Sequence, residues 1–88
     1  MVIQDVHPQA PFHALVIPKK PLESLADAAA ADQVLLGHLL LVAAAVAERA
    51  GHGKAFRIVS NAGAGAGQSV PHLHVHVLAG RTLEGRLG

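Results

Sequence analysis

The chain of 88 residues contains no cysteine, so neither a disulfide framework nor a thiolate zinc site is open to it. Aromatic residues are scarce: Phe12 and Phe56 are the two it has. Core volume must therefore come from Leu, Val, Ile and Ala. One domain of this length buries roughly 60–65% of its unfolded surface, near the lower limit for a self-sufficient core, so help from a second subunit is expected. Charge of one sign is also lacking. Seven Lys and Arg face six Asp and Glu with no basic run, which leaves nothing to grip a nucleic-acid backbone or an anionic lipid surface. Met1 is followed by Val-Ile-Gln-Asp, not by the basic and apolar regions of a secretory leader. The apolar run 34–47 includes Gly37 and His38 and is shorter than the ~18–20 residues of a membrane span. The expectation is one domain over residues 1–88, cytoplasmic, with no nucleic-acid and no membrane partner.

What is present is alternation. Residues 1–5 read as the end of a strand, and residues 12–17 as a strand after the turn His7-Pro8-Gln9-Ala10-Pro11. Pro18-Lys19-Lys20-Pro21 ends it, with the lysines expected in a solvated turn. Residues 22–25 suit one helical turn. A long helix is predicted over about 28–50, with Asp27 as N-cap, Asp32 in its early part and Gly51 just past its end. Its middle is apolar nearly all round, which predicts a second apolar contact beyond one small sheet. His38 within that run is read as a hydrogen-bonded core residue. Residues 55–60 form the next strand, 61–69 a glycine-rich loop, and 82–88 a tail without pattern.

The loop leads into Val70-Pro71-His72-Leu73-His74-Val75-His76-Val77-Leu78. Along a strand, alternate side chains point to opposite faces, so His72, His74 and His76 share one face while Leu73, Val75 and Val77 take the other. Neighbouring histidine positions lie ~6.7 Å apart at ~3.3 Å per residue. Packing does not call for three titratable rings in a row, and His is the side chain whose proton moves near neutral pH. Two chemistries compete. Three alternate positions on one strand do not readily close a metal tetrahedron, and a zinc site would need a ligand from elsewhere, with His13 as candidate. The alternative is attack on phosphorus by a neutral imidazole whose second nitrogen is held protonated by a carbonyl. Closely spaced glycines ending in Ser69 would let the amides of Gly67, Gln68 and Ser69 hold a phosphate beside the imidazole face.

His72-Leu73-His74-Val75-His76-Val77-Leu78 resembles the signature of the histidine-triad (HIT) superfamily. The blocks Asp5-Val6-His7-Pro8-Gln9-Ala10-Pro11, His13, Leu15-Val16-Ile17-Pro18-Lys19-Lys20, Leu35-Leu36-Gly37-His38-Leu39 and Gly67-Gln68-Ser69-Val70 resemble its nucleotide-binding Hint branch. The resemblance implies an α+β fold, with an antiparallel sheet of about four strands and one long helix, in a homodimer. It implies that His74 is the nucleophile, with His72 and His76 orienting it and contacting phosphate. Ser69 and the Gly67–Gln68 backbone would hold the phosphate or assist the leaving group, and Asn61 would contact phosphate. Asp5 and Val6 would contact ribose, and His13 would pack behind the triad. The implied reaction is hydrolysis of a purine nucleoside phosphoramidate or related mononucleotide conjugate, with no metal and no cofactor. A truncated, non-catalytic nucleotide-binding or interaction module is the other reading. Relatives carry a further N-terminal segment of roughly thirty residues that walls the base pocket. They also often have a tryptophan-containing end and an aromatic where Ile3 stands.

Overall fold

The computed structural model describes residues 1–83. The end of the tail predicted without pattern, residues 84–88, lies outside the described residues. Strands β1 (Val2–Gln4), β2 (Phe12–Val16), β3 (Phe56–Val59) and β4 (Val75–Ala79) form one antiparallel sheet in the order β1-β2-β4-β3. Helix α1 (Gln33–Arg49) packs on one face. This is the α+β arrangement expected.

Register sorts the side chains. Ala14 pairs with Val77 and Val77 with Ile58, while Phe12 pairs with Ala79 and Ala79 with Phe56. Those rows point toward the helix, where Val16, Val75, Val77 and Leu73 meet Leu39, Ala43 and Ala47. The helix positions 36, 39, 43, 46 and 47 recur at the helical period, which is why one stripe can be buried. Ala43 and Ala47 are fully buried and bring the helix axis close to the sheet. Full burial of one Leu or Val contributes about 1.5–3 kcal/mol, so this stripe is what fixes the sheet–helix docking. The alternate rows, His13–Leu78–Arg57 and Leu15–His76–Val59, face away from the helix.

Three expectations about the helix need correction. It begins at Gln33, not near residue 28, because the acidic residues cap tight turns of their own. Asp27 Oδ2 accepts from the Ser24 amide at 3.2 Å and the Ala26 amide donates to Ser24 Oγ at 3.1 Å, closing a 3₁₀ turn at Leu25–Asp27, slightly later than the predicted turn. Asp32 Oδ2 accepts from the Ala29 amide at 2.8 Å, closing a second at Ala30–Asp32. Lys20, expected in solvent, donates to Asp32 Oδ1, and the Asp32 side chain is buried. The Lys20 ammonium, with the Ala29 amide, holds the Asp32 carboxyl below its ordinary range. Second, His38 is exposed, because it lies on the stripe shared with Val34 and Leu41, away from the sheet. Those two apolar residues are 86% and 72% exposed. Third, with its preceding 3₁₀ turn the helical segment runs Ala30–Arg49, 20 residues, long and apolar enough by length and composition to cross a membrane. Leu39, Ala43 and Ala47 nevertheless use one stripe of it as a core face.

The helix end follows expectation. Gly51 has φ +87°, its amide donates to Glu48 O at 2.9 Å, and the His52 amide donates to Ala47 O at 2.8 Å. This closes the last turn as a Schellman motif, which glycine enters without strain.

Candidate active site

The histidine row alternates as expected: Leu73, Val75 and Val77 are buried, while His72, His74 and His76 are half-buried on the other face. The ladder, however, starts at Val75, so His72 and His74 precede the regular strand. Its neighbour β2 ends at Val16, and Ile17 pairs back to Met1 through bonds of 2.7 and 2.8 Å. Pro18 then offers no amide. The segment before Val75 is held by other means. The Leu73 amide donates to Leu22 O at 2.7 Å, and Ser60 Oγ donates to His74 O at 3.0 Å.

These bonds also decide which nitrogen of each ring carries the proton. His74 Nδ1 lies 2.8 Å from His72 O. A carbonyl accepts and cannot donate, so Nδ1 is protonated and the neutral ring keeps a lone pair on Nε2. His72 Nε2 donates to Pro18 O at 3.1 Å by the same reasoning. His13 is buried beneath the row. Its Nδ1 accepts from the Gln9 amide at 3.0 Å, so its proton must sit on Nε2. That Nε2 is 2.9 Å from His76 Nδ1. His76 Nδ1 is therefore an acceptor, and its own proton is on Nε2. The Asp5 carboxylate stands beside this pair, with Oδ2 3.4 Å from His13 Nε2 and 4.0 Å from His76 Nδ1, while Oδ1 accepts from the His7 amide at 2.7 Å. The pKa of His76 is pushed down, first by burial and then by its neighbours His74 and His13, with Asp5 opposing. A lowered value favours the neutral ring near pH 7.

Asp5, His13 and His76 also offer three ligand atoms within 4.8 Å of one another. The donor set does not suit a metal ion in this arrangement. A metal on His13 Nε2 needs the proton on Nδ1, where it would face the Gln9 amide N–H.

Two cavities flank the row. An apolar one of about 540 Å³ is floored by Ile3, Leu15, Ile17 and Val70 and reaches His72 and His74. A polar one of about 440 Å³ is bounded by Asn61, Gly67, Ser69, His74 and His76, and extends past His13 to Arg57 and Arg81. Among the described residues, His74 alone lines both. The structure thus gathers His74, His76, Ser69, Asn61 and Gly67 around one space.

Other expected site residues sit differently. The Gly67 amide donates to Ala64 O at 3.0 Å and the Gln68 amide to Gly63 O at 3.1 Å, so neither is directed at a phosphate. Both belong to a 3₁₀ turn at Ala64–Ala66 that closes the loop on itself, and Gly67 leaves it at φ +96°. The Gln68 side chain is a brace: its Oε1 accepts from the Gly63 amide at 2.7 Å and its Nε2 donates to Val70 O at 2.9 Å. Ser69 keeps both its amide and its hydroxyl without a partner among the described residues. Asp5 faces the His13–His76 pair and lines neither cavity; Val6 is 85% exposed and lines neither. Sequence reasoning missed Gln9, whose amide sets the His13 tautomer, because nothing in a side-chain pattern marks a backbone donor. It also missed Arg57 and Arg81. Arg57 carried a signal, being the charged residue within a short apolar strand.

An antiparallel sheet with a helix on one face and a row of histidines on the other, held in complementary tautomers, defines a histidine-triad protein. The chain belongs to the HIT domain family, and that domain is matched over residues 1–83. It is 56% identical over 81 residues to an uncharacterized HIT-like protein of Synechocystis sp., spanning 92% of this chain and 71% of that one. A HIT-like protein of Synechococcus elongatus is 51% identical over 83 residues, spanning 94% and 73%. Among solved structures, a HIT family hydrolase from Legionella pneumophila Philadelphia 1 matches with a TM-score of 0.95 at 38% identity, over 99% of this chain and 79% of that one. A HIT family hydrolase from Clostridium thermocellum gives 0.91 at 34% identity, over 98% and 76%.

Proposed function

We propose that this chain is a nucleotide-binding hydrolase that cleaves purine nucleoside phosphoramidates, or related mononucleotide conjugates, through a nucleotidyl-histidine intermediate. The observation that carries the reading is the bond from His74 Nδ1–H to His72 O at 2.8 Å, which leaves Nε2 as the nucleophilic lone pair. The resemblance to solved HIT family hydrolases supports hydrolysis as the class of reaction. His74 Nε2 attacks phosphorus, a P–N bond to His74 forms, and the P–N bond to the leaving amine breaks. The leaving nitrogen takes a proton, for which the Ser69 hydroxyl is the candidate donor. Water then attacks phosphorus and the P–N bond to His74 breaks, releasing the nucleoside monophosphate; the proton the water loses returns to Ser69, and the ring is restored with its Nδ1–H in place. His76 Nε2–H, with the Ser69 amide and Asn61, faces charge on the phosphoryl oxygens. The apolar cavity takes the base, and His74, at the junction, meets the phosphorus between the two spaces. The Asp5 carboxylate would reach ribose by turning from the histidine pair, with Val6 beside it. The exposed stripe of Val34 and Leu41 is where a second copy would pack as a homodimer. The cytoplasm is its proposed compartment.

The test is acid quench with intact-mass analysis during turnover of adenosine 5′-phosphoramidate. One nucleotidyl adduct per chain, absent from His74→Ala, is expected. Nucleotide binding without adduct or turnover would leave the chain as a non-catalytic nucleotide-binding module, and an adduct on another histidine would overturn the role of His74.

A further inference from the structure

The Gln68 side chain is bonded on every side to the backbone that surrounds Ser69. Its Oε1 accepts from the Gly63 amide at 2.7 Å, and its Nε2 donates to Val70 O at 2.9 Å and to Glu23 O. The Gln68 amide donates to Gly63 O at 3.1 Å, so these two residues are paired twice and close the glycine loop into a ring. A primary amide has two N–H donors and one carbonyl, and here all of them are engaged. The bond to Val70 O bridges Ser69, because it joins the residue before it to the residue after it. The bond to Glu23 O ties that bridge to the segment that also receives the Leu73 amide, on Leu22 O at 2.7 Å. One short stretch of chain, residues 22–23, therefore anchors both the frame of Ser69 and the frame of the histidine row. Ser69 itself lines the polar cavity with His74, and its hydroxyl has no partner among the described residues.

We infer that Gln68 is a positioning residue for proton transfer: its side chain holds the Ser69 hydroxyl at the leaving nitrogen while His74 attacks phosphorus. The inference rests on the hydrolase reading above and deepens it. A proton donor works within about 2.6–3.2 Å of the atom it serves. A serine hydroxyl rotates freely, so its reach is set by where the backbone puts its Cβ. In the step itself the His74 Nε2–phosphorus bond forms, the P–N bond to the amine breaks, and the departing nitrogen takes the Ser69 proton. Gln68 forms and breaks no covalent bond. The consequence is selective. An amine departs with a proton, whereas p-nitrophenolate departs as the anion, so a displaced Ser69 slows the first departure and spares the second.

The experiment measures kcat/KM of the full chain on adenosine 5′-(N-propyl)phosphoramidate and on adenosine 5′-(p-nitrophenyl) phosphate, because kcat/KM includes the step in which the leaving group departs. Gln68→Met keeps the length of the side chain and loses its hydrogen bonds. It should lower kcat/KM about tenfold on the phosphoramidate and by less than about twofold on the ester. Gln68→Glu, which lacks both N–H donors, should move the ratio in the same direction. The ratio of two rates on one preparation does not depend on the folded fraction, so lost stability alone leaves it fixed. Adding Gln68→Met to Ser69→Ala should cost little beyond Ser69→Ala, since the two residues act as one unit. Equal loss on both substrates, no loss on either, or full additivity in the double variant overturns the role of Gln68 and leaves the hydrolase reading standing. Turnover of neither substrate by the wild type overturns the hydrolase reading and this inference with it.

Discussion

Replacing His13 by Leu removes hydrogen bonding from beneath the histidine row while keeping much of the volume. His13 is 6% exposed and holds two partners at once, the Gln9 amide at 3.0 Å and His76 Nδ1 at 2.9 Å. Leaving a buried polar group without its partner costs about 1–3 kcal/mol. Both orphaned atoms are part-buried, so water recovers a share, and the expected loss is about 2–4 kcal/mol in total. In a domain of this size each kcal/mol shifts Tm by about 4–8 °C, giving a fall of roughly 8–32 °C. The second readout concerns the proton. Long-range ¹H–¹⁵N spectra of the wild-type imidazoles near pH 7.5 should show His76 and His72 as Nε2–H tautomers and His74 as Nδ1–H. In His13→Leu, His76 should lose its fixed tautomer while His74, held by the His72 carbonyl, should not. Wild-type protein with His76 protonated at Nδ1 would refute the whole chain of donors from Gln9 through His13. So would a His13→Leu protein of unchanged Tm.

The outer face of α1 predicts self-association: Leu41→Glu should shift a micromolar sample from dimer to monomer in sedimentation velocity with little change in Tm, since Leu41 is 72% exposed within the subunit. A monomeric wild type would dismiss that face as an interface. The Asp32 carboxyl is held low by Lys20 and Ala29, so the stability it contributes is present above the ordinary carboxylate pKa and is lost as pH falls through the depressed one. Asp32→Asn should therefore flatten the acid limb of a Tm-against-pH curve below about pH 4, and an unchanged limb would count against the ion pair. Gly80 has φ +101°, and an added Cβ would stand 2.9 Å from Pro11 Cβ; Gly80→Ala should cost at least about 1 kcal/mol in urea unfolding, and a neutral result would mean that the β4 exit turn relaxes freely.

Local pattern was enough for a good part of this molecule. The period of two through His72–Leu78 separated imidazoles from core residues, because a strand leaves a side chain only two faces to occupy. Gly51 marked the helix end because the chain needs a left-handed residue there. Tertiary structure decided whatever depended on a partner distant in sequence. Asp32 looked like a helix-start charge, but Lys20 arrives from the turn that follows β2 to pair with it. His38 looked like a core residue, but the helix rotates its stripe of Leu39, Ala43 and Ala47 onto the sheet and leaves 38 outside. Gly67 and Gln68 looked like anion donors, but their amides turn back to Ala64 and Gly63 once the loop closes. The proton positions were beyond any pattern. They follow from a carbonyl at His72 and a backbone amide at Gln9, groups that every sequence supplies and only folding aims.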